Sequence, residues 1–330
     1  VELEASLIPD LLEPTHMLPG VSILCFAASY AVAFVLEITR FLSQSRIRRV
    51  IMLGFAGAGL FAHTVYLANR AAEAVGSPLS SKQEWYLIAA WILVVVYLYL
   101  MSIHAEKAFG VFILPLVLGL IGVGALLADA APFAREPASQ IWGTIHGASV
   151  LLATVAVLVG FAAGLMYLGQ AYRLKRKLPP LRGLPLPSLE WLQRANSRAV
   201  VISMIMLGIG ILSGVILNLI NTRSHAPRVP WNDPFVVSTV LMFGWLLLSS
   251  VIGLIYRPAR EGHKVAYLTV VSFLFLILAL GIGLFVNTRH GGSPAQLGRP
   301  QGHALGTPDA DGHSRWLAAQ SPLPRRSPNP

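Results

Sequence analysis

The stretch IWGTIHGASVLLATVAVLVGFAAGLMYLGQAYRLKRK, residues 141–177, decides the fold. Between His146 and Arg173 it holds no Asp, Glu, Lys or Arg. A helix crosses a bilayer's hydrocarbon core with about 20 mostly apolar residues. A span over 141–172 exceeds that length, so it tilts strongly or projects from the membrane. The basic exit RLKRK belongs where anionic headgroups lie.

Seven more apolar runs of spanning length flank this one, near 18–39, 50–69, 86–103, 108–128, 199–220, 235–256 and 265–287. The fourth run in chain order begins so soon after the third that 104–107 is a tight turn. Over the 330 residues, 55% are hydrophobic and 12% charged, and the mean hydropathy is +0.65. Soluble domains carry about 25% charged residues, so this chain cannot cover a water-facing surface. The composition predicts an all-α polytopic membrane protein of about eight transmembrane helices. Its parts are a short tail over 1–17, a transmembrane region over 18–290 and a Gly/Pro-rich, disordered tail over 291–330. The first 18 residues carry Glu2, Glu4, Asp10 and Glu13 and no Lys or Arg. They lack the basic start of a secretory signal.

The net charge of +10 would point to nucleic acid in a soluble protein. Here it reports orientation, and no nucleic-acid partner is expected. Lys and Arg accumulate in the inside loops of membrane proteins. If the N-terminus is outside, the inside loops 40–49, 104–107, 173–198 and 257–264 hold 15 of the 25 basic residues. The outside loops hold only Arg70, Lys82, Arg135, Arg223 and Arg228, and the remaining five lie in the C-terminal tail. Both termini are therefore expected on the outer side. The long inner loop RLKRKLPPLRGLPLPSLEW cannot form one continuous helix, because of its prolines. It is expected to contact membrane lipid, with partner docking as the sharper alternative.

One cysteine, Cys25, excludes a disulfide framework, a thiol–disulfide exchanger and a covalent haem site on this chain. It is expected to fill a gap in the core of span one. Histidine and acidic residues in or near a bilayer are the default functional candidates, since burying them is costly. His104 and His263 fall in inner loops and are expected to be hydrated. His63 lies in span two, nearer its outer end. His146 opens span five at the outer face, His290 follows span eight at the same face, and His225 lies in an outer loop with Trp231 and Asp233. Neutral imidazole is a strong ligand for haem iron. His146 and His290 form a candidate axial pair across an outer cavity, with Trp231 beside it. Interfacial histidines that meet only headgroups and water are the competing account of the same positions. His303 and His313 read as solvated in the tail.

The stretch from WGTIHGASVLL to RLKRK is similar to the cytochrome c assembly protein family, which includes the CcsA-, CcmC- and HemX-like haem-handling membrane proteins. The resemblance continues through LPSLEWLQRANSRAVVISMIMLGIGILSGVIL and PWNDPFVVSTVLMFGWLLLSSVIGLIYR, and ends on TRHGG. Upstream, FAHTVYLANR and FGVFILPLVL resemble the early spans of the HemX-like branch, so the likeness covers about 18–291. The resemblance implies haem b bound transiently at the outer face, with His146 and His290 as axial ligands beside a tryptophan-rich loop. His63 matches a histidine in span two of the HemX-like branch. It also implies a second assembly subunit, an apocytochrome c and membrane lipid as partners, in the bacterial inner (plasma) membrane. This chain departs from the family pattern in its tryptophan motif, reduced to Trp231, Asn232, Asp233 and Pro234, and in lacking a histidine late in span seven.

No residue reads as an activated nucleophile or general base. The expected role is a component of a cytochrome c haem lyase (synthase) complex rather than a complete enzyme. A HemX-like influence on haem biosynthesis without ligating haem to cytochromes is the alternative. A small-solute transporter is a third reading, weakened because Glu37 and Asp129 are expected at interfaces and Gly208, Gly210 and Gly214 read as helix packing. The charge distribution is checked by alkaline phosphatase fusions: activity is expected when the enzyme follows Arg228 and not when it follows Pro180. The reverse pattern would invert the topology.

Overall fold

In the computed structural model of the chain, the described residues are 22–39, 45–73, 79, 81–104, 106–130, 140–177, 185–223, 229–255 and 263–286. They form eight α-helices and, among the described residues, no strand. In order these are α1 (Ile23–Ile38), α2 (Arg46–Glu73), α3 (Lys82–Ile103), α4 (Gly110–Leu126), α5 (Gln140–Lys175), α6 (Leu189–Arg223), α7 (Pro234–Ile255) and α8 (His263–Phe285). Six are long and apolar enough to cross a membrane; α1 and α4 are shorter apolar helices. The chain is a multi-pass helical membrane protein. The tails over 1–17 and 291–330, together with His225 and His290, lie outside the described residues.

Helices prevail because the bilayer core has no water to satisfy a free backbone group. Hydroxyl side chains follow the same constraint by bonding back within their own helix. Ser203 donates to Val200 O at 2.9 Å, Thr269 to Ala266 O at 2.9 Å and Ser249 to Trp245 O at 2.8 Å. The apolar runs thus carry buried polar atoms without opening the helix. Large side chains such as Leu212, Leu274 and Phe61 are exposed, as a lipid-facing surface requires.

The helices pack as two groups, α1–α4 and α5–α8, and α5 also touches α3 and α4. The α5–α6 pair is the most extensive. Small residues let the helices approach, which drives association where lipid removes the hydrophobic incentive. A Cβ added at Gly164 of α5 would lie 2.7 Å from Thr269 Oγ1 of α8, and one at Gly160 would lie 3.0 Å from Ala199 Cβ of α6.

Three expectations need correction. Cys25 is exposed on α1 rather than part of the core; Phe26 and Tyr30 take the buried positions. Glu37 stays at the end of α1 as expected, and its side chain is buried there, with Gly110 at the start of α4 close against the carboxyl stem. His104 packs with its ring 5.8 Å from Trp191 and 6.3 Å from Phe109, so aromatic surface takes the place of water on part of it. Span six is longer than its apolar run: α6 starts at Leu189, because Glu190, Arg194 and Arg198 interrupt hydropathy without interrupting helix.

These contacts make opposite predictions for two glycines of α5. Gly164→Ala is expected to lower the unfolding midpoint in detergent by an amount corresponding to about 1–3 kcal/mol. Gly169→Ala, with nothing within 4 Å of its added Cβ, is expected to raise it slightly through helix propensity.

Candidate functional site

Helices that alternate in direction bring the N-terminal ends of α3, α5 and α7 together with the C-terminal ends of α2, α4, α6 and α8. Side chains tie these ends to one another. Arg70 of α2 lies 3.6 Å from Glu84 of α3, and Gln83 Nε2 donates to Gly124 O of α4 at 3.2 Å. Lys82 Nζ reaches Gly283 O of α8 at 3.4 Å. His146, Trp231 and Asp233 belong to this end.

His146 sits in the second turn of α5, half-buried against α6. Its Nδ1 lies 2.7 Å from Gly210 O. A carbonyl only accepts, so Nδ1–H donates, and in the neutral ring the lone pair is on Nε2. Gly214, one turn further along α6, forms the wall beside the ring: an added Cβ there would be 3.0 Å from both His146 Cε1 and Nδ1. Gly210 itself admits Val150, whose Cγ2 would be 2.8 Å from an added Cβ. Two glycines four residues apart therefore let the Nδ1–Cε1 edge of the imidazole come up to the α6 backbone. Metal-binding histidines are held in the same way, with the non-ligating N–H donated to a carbonyl.

Asn218 continues this stripe one turn beyond Gly214. Its amide makes two hydrogen bonds to one residue of the following loop: Nδ2 donates to Val229 O and Val229 N donates to Oδ1, each at 3.1 Å. A helix rises about 6 Å per four residues, so the clamp sits directly beyond the cradle of His146. Trp231 follows in a turn and is 60% exposed, open to a planar partner. Asp233 is buried and caps α7, its Oδ1 accepting Phe235 N–H at 2.9 Å, with Pro234 at the first helical position, where no N–H is needed.

His63 lies elsewhere, in a different setting. It is fully buried in α2 and stacked on Phe26 of α1 with ring centroids 4.1 Å apart and planes 3° apart. Nδ1 lies 3.4 Å from Tyr30 OH, and Nε2 has no hydrogen bond among the described residues. Leaving a buried polar atom unsatisfied costs about 1–3 kcal/mol.

The cradle residues Gly210 and Gly214 were visible in sequence only as a packing motif; nothing there tied them to His146. Asn218, Leu79 and Lys82 carried no sequence signal of a role. Leu79 is buried at φ 71°, unusual for a bulky residue. It packs beside His146's neighbour, 3.7 Å from where a Cβ on Gly147 would stand. As a donor set, this end offers haem an imidazole held through Nδ1 by Gly210 O and an exposed indole at Trp231.

Asn218→Ala is expected to speed amide exchange at Val229 while lowering the unfolding midpoint by no more than about 2 kcal/mol's worth; Asn218→Asp, which keeps the acceptor, is expected to fall between. Unchanged Val229 exchange would show that the loop does not depend on the clamp.

Residues 79–290 match the family model described as Cytochrome C assembly protein, more than half of the chain. No curated protein matches the chain.

Proposed function

We propose that this chain, which belongs to the cytochrome c assembly protein family and acts in the biogenesis of c-type cytochromes, holds haem b at the bundle end carrying His146. The observation that carries this is the 2.7 Å hydrogen bond from His146 Nδ1 to Gly210 O, the kind of contact that orients ligating histidines; Nε2 is the proposed ligating atom. His290, just after α8, is the proposed second axial ligand. Trp231, exposed at this end, would help hold the haem, and Asp233 fixes the start of α7 that follows Trp231. His63, with its bare Nε2, is a further candidate for haem contact.

Haem held here would supply two vinyl groups for thioether formation with the thiols of an apocytochrome Cys-x-x-Cys-His segment. The contribution of the chain is to orient. His146 fixes one axis, the Asn218 clamp fixes the Trp231 loop, and the membrane-facing helices keep the site at a defined depth. Holding reactants close and aligned replaces much of the entropic cost of such a reaction. A second assembly subunit would hold the apocytochrome. The excess of Lys and Arg at the opposite ends of the helices supports an outer placement in a bacterial inner membrane. Domain limits of 1–17, 18–290 and 291–330 complete the proposal.

A second role, influencing haem biosynthesis in the HemX-like manner, is favoured by one observation: the tryptophan-rich motif is reduced to Trp231. Purified wild type is expected to show a sharp low-spin, two-histidine haem spectrum when oxidised and reduced. In His146→Ala the spectrum is expected to become high-spin or weaken at least tenfold, and in the double variant with His290→Ala to vanish. Wild type free of haem, purified from haem-replete cells, would overturn the proposal.

A further inference from the structure

We propose that Lys82 is the cation that pairs with a haem propionate at this site, an assignment that rests on the haem reading above. Haem b carries two carboxylates, and a site that seats it at a bundle end needs positive charge close by. Lys82 begins α3 and is half-buried. Three residues earlier, Leu79 packs beside Gly147, the neighbour of His146. On its other side Lys82 Nζ reaches Gly283 O in the last turn of α8, the helix that leads to His290. Gly283 in turn abuts Phe235, whose Cε2 would stand 3.0 Å from an added Cβ, and Phe235 N–H is held by Asp233. Lys82 thus joins the start of α3 to the last turn of α8, with α5 reached through Leu79 and α7 through the Phe235 ring on Gly283.

An ammonium has three donors, and the contact to Gly283 O is a long one at 3.4 Å. Among the described residues Lys82 forms no ion pair, whereas Arg70 is already beside Glu84. Asp233 turns a carboxylate oxygen to the α7 backbone. The carbonyl of Gly283, at a helix C-terminus, favours a cation there and keeps the stem in place. A propionate would complete the shell of Lys82 with a charge-assisted bond.

The test is a titration of purified full-length protein with ferric haem b and with its dipropionate dimethyl ester, for wild type, Lys82→Gln and Lys82→Arg. Lys82→Gln is expected to weaken binding of the free acid about tenfold, the worth of one charge-assisted bond, and to leave the ester unchanged. Lys82→Arg is expected to restore most of the loss. Equal loss for acid and ester would overturn the pairing and make Lys82 a support for α8 alone. No change for either form would also overturn it, leaving a lipid headgroup as the anion at Lys82. Wild type that binds neither form would sink the haem reading itself, and the pairing with it.

Discussion

The approach of α5 to α6 is the contact on which the candidate site rests. In lipid, helices gain little from hiding apolar surface, so they associate where backbones can come close. Gly210 and Gly214 provide that closeness, and at the same point they expose a backbone carbonyl to His146. Bulk at either glycine would push apart the helix pair and the imidazole together. Packing and chemistry are therefore one constraint here, because the carbonyl that fixes the tautomer belongs to the helix that the glycines bring near.

The remaining helices act on the ends of this pair. Asn218 ties the loop after α6 to the same stripe, and Asp233 starts α7 from that loop. Lys82 and Phe235 bear on the last turn of α8. The Asn218 link satisfies the backbone groups of a loop residue, and the Asp233 and Lys82 links use backbone groups that a helix terminus leaves unsatisfied. Polar side chains concentrate there because terminal amides and carbonyls need partners, and a ligand with carboxylates and a metal meets the same needs. His63, held inside the α1–α2 pair by Phe26 and Tyr30, stands outside that logic.

Much of the architecture was legible in the chain itself. Eight apolar runs became eight helices, since a bilayer admits no other way to satisfy the backbone of such segments. Boundaries were less legible at α6, where Glu190, Arg194 and Arg198 break the hydropathy but stay helical. Positions of single side chains were the least legible. Cys25 was expected in the core and is exposed, because burial in a membrane bundle depends on which face a neighbour covers. Charge is no guide to it, as the fully buried Glu37 against Gly110 demonstrates.

The sequence by itself determined the membrane class, the number of apolar helices and the resemblance to a haem-handling family; each follows from local composition and order along the chain. It also singled out His146, Trp231 and Asp233, since polar residues at the ends of apolar runs are conspicuous. Only the tertiary structure decided what these residues touch. Only the Asp233 cap of α7 is local; the tautomer of His146 depends on Gly210, 64 residues away, and the clamp at Asn218 on Val229, 11 residues on. Such contacts have no period or motif in one dimension, because they are set by the crossing of two helices and by the absence of a side chain at the point where they cross.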